Sequence, residues 1–287
     1  MKKHTKRALK IVDIAREPLE KIPYVTATSK GTGISSELLP VYWGEILGLP
    51  EELDALIIAS DLQGIVDYKQ EQVEQAPKLL GEELAEVLTL LFQIHLSDLD
   101  PAKVMVCLCG DLYTDLTKRG ASGNPLPVWS AFRNYFGFVT GVAGNHDLLT
   151  NEEQAELGSS TGIHYFSDGG KMMYANLAVA GLGGIIGRVD KPNRMEEDDY
   201  LARLRHILRQ VPDILLLHES PKISSQGLPG NPHIWKELQN SAELLVCCGH
   251  VHWDTPLVET NNGLQILNAD GRAFIFTAPT SLEIIHN

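Results

Sequence analysis

The chain has 287 residues, of which 44% are hydrophobic and 21% charged, and its formal net charge is -13. This composition excludes a disordered or low-complexity chain and supplies enough apolar residues for one large core or two small ones. An acidic surface repels long polyanions, so the charge disfavours nonspecific DNA or RNA binding while leaving small phosphorylated ligands open.

The basic run from Lys2 to Lys10 is followed by a stretch that carries charges throughout, so it reads as a solvated arm and not as the start of a signal peptide. No apolar run approaches the roughly 18 residues that a membrane-spanning helix needs. Residues 1–50 hold Pro18, Pro23, Pro40, Pro50 and the turn Gly31-Thr32-Gly33. They read as an N-terminal lead-in, loosely structured or packed on the core, with one short helix. A single domain over residues 51–287 is expected to follow.

From there strands and helices alternate. Leu56 to Ala59 is a short apolar run ending in a polar loop, which predicts a buried strand. Residues 78–96 carry apolar side chains at helical spacing without proline and predict a helix. Val104 to Leu108 predicts the next strand, Pro127 to Phe136 a short helix, and Phe138 to Val142 a third strand. Residues 172–182 predict one further strand. Residues 196–210 predict a helix with acids in the first turn and bases in the last, as the helix dipole favours. Ile214 to Leu217, Leu244 to Cys247, Leu264 to Leu267 and Phe274 to Thr277 complete the strands. This alternation predicts a layered α/β fold. The cysteines, Cys107, Cys109, Cys247 and Cys248, all fall in apolar runs and form no CxxC pair. They read as buried thiols in a reducing, cytoplasmic compartment.

The chemistry-bearing residues follow the strands. Asp61 and Gln63 come after the first, Gly110-Asp111 after the second and Gly144-Asn145-His146-Asp147 after the third. His218 continues the strand at 214–217, and Gly249-His250-Val251-His252 follows the one at 244–247. In open α/β sheets, ligands bind beyond the carboxyl ends of strands, so five sequence-distant loops would converge on one rim. Carboxylate, imidazole and amide oxygen together favour Mn²⁺, Fe or Zn²⁺ over an all-oxygen calcium site. Taken alone, an aspartate after a strand usually caps a turn, and a single histidine such as His95, His164, His206 or His233 is usually surface or core. The ordered set carries the reading. Gly181-Leu182-Gly183-Gly184 lacks the spacing of a dinucleotide-binding turn and reads as a strand end.

The set Asp61-x-Gln63, Gly110-Asp111, Gly144-Asn145-His146-Asp147, His218 and Gly249-His250-x-His252 resembles the calcineurin-like metallophosphoesterase superfamily over residues 54–280. The resemblance implies a four-layer sandwich, with two mixed β-sheets packed face to face and helices outside. It implies two divalent metal ions, with Mn²⁺ expected and Fe, Zn²⁺, Co²⁺ or Ni²⁺ as alternatives. By position, Asp61, Gln63 and His252 would serve the first ion and Asp111 would bridge both. Asn145, His218 and His250 would hold the second. His146 would act on the phosphate and leaving group, with Asp147 orienting it. The reaction implied is hydrolysis of a phosphodiester or phosphomonoester by in-line attack of metal-bound hydroxide. Gln63 departs from the family's histidine and offers a harder, weaker ligand. A small phosphorylated substrate is favoured. A nuclease is one alternative, and a scaffold that kept the fold without the chemistry is the other. Tyr113, Arg188, Arg194 and Trp253 lie near the motifs as candidate substrate contacts.

Overall fold

In the strand Ala55–Ser60 every residue is buried, but on alternating faces. Ala55, Ile57 and Ala59 pack against the helices Leu80–His95 and Leu126–Tyr135, whereas Leu56 and Ile58 point the other way, into a second core. Val104, Val106 and Leu108 of the strand Val104–Leu108 join the helix-side core, and Met105 and Cys107 join the second. A strand buried on both faces must lie in an inner layer.

The second core belongs to two sheets at once. Leu56, Ile58, Met105 and Cys107 meet Val179, Ile214, Leu216, Leu245 and Cys247 there. The alternate residues of these latter strands, among them Ala180, Leu215, Leu217 and Val246, pack outward. They meet Tyr200, Leu204, Ile234 and Leu238 of the helices Glu197–Leu208 and Pro232–Leu238. Helix, sheet, sheet, helix is the four-layer α/β sandwich that the resemblance implies.

This computed structural model describes residues 8–28, 33–66 and 77–279. Residues 2–7 of the basic arm and Gly31-Thr32 of the expected turn lie outside these. Among the described residues, one sheet has ten strands. Its order is Lys78–Leu79, Ile65–Val66, Glu20–Ala27, Ile34–Leu47, Arg272–Thr277, Ala55–Ser60, Val104–Leu108, Phe138–Gly141 and Ile163–Tyr165, with Lys10–Ile14 paired to Ile34–Leu47. The other, of six, runs Gly170–Tyr174, Leu177–Leu182, Ile214–Glu219, Leu245–Gly249, Gln265–Asn268 and Leu257–Glu259. The strands that lead into the motif loops are parallel within each sheet, so their carboxyl ends share one edge.

Two expectations are corrected. Of the two alternatives for the N-terminal lead-in, packing on the core holds: the described residues of 10–47 form three strands that send Ile11, Ile22, Leu39, Val41 and Ile46 into the cores, not a loose segment with a helix, and the first helix among the described residues begins at Leu80. Pro23 and Pro40 obscured the period of two, yet the antiparallel register sets Pro23 opposite Leu38 and Pro40 opposite Lys21. Residues 172–182 are not one strand but belong to a hairpin. Tyr174 pairs with Leu177, and Ala175 and Asn176 turn the chain at φ 45° and 60°, the left-handed pair that a two-residue hairpin requires. The helices Asn151–Ser159 and Pro232–Leu238 were not foreseen; the Thr150 and Asn231 side chains cap them.

Candidate metal centre

The motif residues are set by the way each strand ends. Asp61, Asp111 and His250 each follow a strand directly or within three residues, and all three have positive φ, at 55°, 54° and 68°. A non-glycine residue in this region carries strain that the surrounding structure must hold, and such residues cluster at functional sites. Close approach explains two glycines. A Cβ on Gly249 would overlap Ser60 Oγ and Asp61 Oδ2, and one on Gly144 would overlap Asp111 Oδ1.

Asp111, His218 and His250 come together, with one ligand atom from each lying within 4.8 Å of the others. Asn145 completes the group, its Oδ1 3.2 Å from His218 Nε2, while Asp111 Oδ2 lies 3.4 Å from the same nitrogen. The other ring nitrogen, His218 Nδ1, is 2.8 Å from the Cys109 carbonyl. A carbonyl only accepts, so Nδ1 carries a proton and Nε2 faces two further acceptors. That is the second-sphere arrangement of a metal-bound imidazole. The electrostatics agree. Burial alone would push the His218 pKa down, but the Asp111 and Asp61 carboxylates hold it up at about 10. Burial pushes Asp61 well above the usual carboxylate range, with Asp270 and Asp111 adding to it and His218 opposing. Burial and the neighbouring His218 push His250 down to about 4, leaving its ring neutral and able to ligate. An ion entering the cluster would displace the His218 proton.

His146 is half-buried; its backbone N–H donates to Asp111 Oδ1 at 2.8 Å, and its Nδ1 lies 3.3 Å from Ser122 Oγ. The expected pairing of Asp147 with the His146 ring is corrected. The Asp147 carboxylate accepts from the backbone N–H groups of Asp111, Leu112 and Gly144, each at 2.8 Å. It ties two motif loops together. Burial and Asp111 push its pKa to about 6, against these donors, so it stays ionised at neutral pH.

Asp61, Gln63 and His252 line one cleft together. Asp61 Oδ2 accepts from Ser60 Oγ at 2.7 Å and from His250 N at 2.9 Å. The Gln63 amide nitrogen is 3.4 Å from Asp111 Oδ2; a carboxylate only accepts, so it is the NH₂ end of Gln63 that faces the site. His252 is exposed, with Nδ1 3.0 Å from Asp270 Oδ2 and Nε2 3.0 Å from Arg272 Nη2.

Residues 55–254 match the calcineurin-like phosphoesterase family. That span is more than half of the chain. This chain belongs to the calcineurin-like phosphoesterases. Family membership makes it a hydrolase of phosphoester bonds and implies divalent metal ions. Solved structures match at low identity. A putative 5'-nucleotidase from Staphylococcus aureus is 12% identical with a TM-score of 0.47, covering 77% of this chain and 50% of its own. This chain thus spans half of that protein's length. A phosphatase from Mycoplasma pneumoniae is 14% identical with a TM-score of 0.43, covering 75% of this chain and 70% of its own. No curated protein matches.

Several residues of this phosphoesterase centre were not foreseen. Asn193 Nδ2 donates to the Gly144 carbonyl at 2.9 Å and to that of Asp147, holding the third motif loop from outside. Asn268 Nδ2 donates to Ser220 Oγ and to the Val251 carbonyl, both at 2.9 Å. Asp270 follows the strand Gln265–Asn268 just as the motifs follow theirs, and that placement was the available signal for it. Of the candidate substrate contacts, Trp253 is fully buried and donates to the Pro229 carbonyl, and Arg188 pairs with Asp190 on the surface.

Proposed function

We propose that this chain hydrolyses small-molecule phosphoesters with a divalent ion held by Asp111, Asn145, His218 and His250. The observation that supports it most is the convergence of unprotonated acceptors around His218 Nε2, with Nδ1 committed to the Cys109 carbonyl. When bound, the ion would polarise the phosphoryl group and activate water. The mixed oxygen and nitrogen set is read as favouring Mn²⁺, with Fe, Zn²⁺, Co²⁺ and Ni²⁺ as alternatives.

The chain's own residues would do the rest. Asp111 accepts the His146 N–H and so links the imidazole to the ion-binding loop. Burial pushes the His146 pKa down, so its ring is neutral at pH 7. To act as a general acid the ring would first take a proton from solvent and then pass it to the leaving oxygen, returning to the neutral form, with Ser122 Oγ 3.3 Å from Nδ1 to orient it. Substrate size is read from the cleft beside Asp61, Gln63 and His252. It has a volume of about 460 Å³, suited to a small molecule. Tyr24, Tyr42, Arg119 and Arg272 also line it. Among the described residues no helix is long and apolar enough to cross a membrane. The free, buried cysteines support a reducing, cytoplasmic setting. The dinuclear form of the reaction requires Asp61, Gln63 and His252 to hold a further ion as well.

The test is a panel of aryl phosphodiesters, phosphomonoesters, cyclic nucleotides and oligonucleotides, assayed with each metal and with excess chelator. Mn²⁺-dependent turnover of a small ester is expected. Turnover of none, with every metal, sinks the reading in favour of a scaffold; turnover of oligonucleotides alone makes the protein a nuclease.

A further inference from the structure

The first metal position is built differently from the second. A metal ligand must present a lone pair. His252 Nδ1 faces the Asp270 carboxylate at 3.0 Å, which only accepts, so Nδ1 carries the proton and Nε2 is the free donor atom. That atom is taken: Arg272 Nη2 donates to it at 3.0 Å. Gln63 turns its NH₂ group, not its oxygen, toward Asp111. Asp61 Oδ2 already accepts two hydrogen bonds. The donor set that would surround a first ion is thus partly occupied by hydrogen bonds within the chain.

Arg272 is not a surface side chain that happens to lean in. It is 8% exposed. Antiparallel pairing of Arg272 with Ser60 sets it beside the strand that ends at Asp61. The Trp253 carbonyl anchors its Nη2 at 2.7 Å, and its Nη1 is buried without a partner among the described residues. A guanidinium cannot give up its proton in a protein, so a permanent positive charge sits against His252 and repels a divalent ion there. Asp270 and Asp254 offset that charge from its own side.

We infer that Arg272 supplies the cation of the first position, so that this phosphoesterase holds one tight divalent ion and not two. The inference rests on the metal-dependent reading above and deepens it. The His-to-Gln change at position 63 and the arginine at position 272 then belong together: the first removes a ligand, and the second replaces the ion's charge.

Metal content tests it without reference to activity. The purified protein is dialysed against Mn²⁺ and analysed by mass spectrometry and equilibrium titration. Wild type should hold one tight ion per chain, with the spectrum of an isolated Mn²⁺ by electron paramagnetic resonance. Arg272→Gln should bind a second ion at least about tenfold tighter than wild type does, giving an exchange-coupled pair. His252→Ala alters an exposed side chain, so it should fold as wild type does, and it should keep the wild-type metal content. Two ions of similar affinity in wild type, or loss of an ion in His252→Ala, overturns the inference while leaving phosphoester hydrolysis standing. Absence of any tight ion together with absence of turnover overturns the underlying reading and this inference with it.

Discussion

Asp147 and His146 are chain neighbours with separable jobs. The Asp147 carboxylate serves three buried backbone N–H groups on two loops. Asp147→Ala leaves these donors unpaired, at a cost of about 1–3 kcal/mol each when nothing replaces the acceptor. The loops that position Asp111 and Asn145 should then separate, so this variant should lose thermal stability and metal together. His146→Ala removes a half-buried ring whose hydrogen-bond partner, Ser122, lies outside the metal-binding loops. It should keep its melting temperature and metal while losing about 10²–10⁴-fold in rate. Differential scanning calorimetry and metal analysis of both variants check this, and an Asp147→Ala protein with wild-type stability and metal would rule out the clamp. At this scale the sequence showed which residue types gather, because aspartate, asparagine and histidine after strands have few other reasons to recur in that order. It did not show which atoms they use. Asp147 reads as a partner for His146 because it is adjacent in sequence, whereas its carboxylate points back into the strand ends. Arg272 was silent, since one basic residue at the start of an apolar strand has no pattern to betray it.

The elements followed the apolar period wherever that period was clean. The helix Leu80–His95 and the strands Ala55–Ser60 and Val104–Leu108 lie within a residue or two of their expected bounds. The misses came where local chemistry overrode it. One-residue differences at turns decide whether an apolar run is one strand or two, as at Ala175-Asn176. The end of the helix Glu197–Leu208 shows the same effect and yields a prediction. Val211 closes that helix with φ 49°, lies just before Pro212 and is 78% exposed. A left-handed conformation costs an L-residue about 1–2 kcal/mol, and a β-branched side chain suits it least. Val211→Gly relieves this and loses almost no packing, while glycine's freer unfolded chain takes back about 0.4–1 kcal/mol. The net gain should be about 0.5–1 kcal/mol, or about 1–3 °C in a domain of this size. A thermal melt showing no rise for Val211→Gly would mean that neighbouring contacts already compensate the strain.

Across the whole molecule, the four layers were legible because inner strands must be apolar on both faces, and the sequence has such runs ahead of every motif. The place of the N-terminal strands was not legible. Glu20–Ala27 and Ile34–Leu47 carry many polar residues and a proline each, so they resemble loop in composition although both are paired on either side. Their role is nevertheless central. The strand Ile34–Leu47 runs parallel to Arg272–Thr277 from Val41 to Glu45, and Arg272–Thr277 pairs on its other side with Ala55–Ser60. Ala273, Phe274, Ile275 and Phe276 are fully buried between them, and Ile22, Leu39 and Val41 belong to the helix-side core. A chain shortened to begin at Glu51 would keep every residue that matches the family, yet it would expose Arg272–Thr277 as an apolar edge and strip one flank of the core. Each buried aliphatic side chain removed forfeits about 1.5–3 kcal/mol of burial, which several such residues multiply beyond the usual margin of about 5–15 kcal/mol. An open apolar edge also templates association. The shortened protein should therefore be insoluble or lack a cooperative melt, and Arg272 should lose its place beside His252. Recovery of a soluble protein that melts cooperatively within a few degrees of the full chain would show instead that the N-terminal strands are an accessory layer, and that the sheet is complete without them.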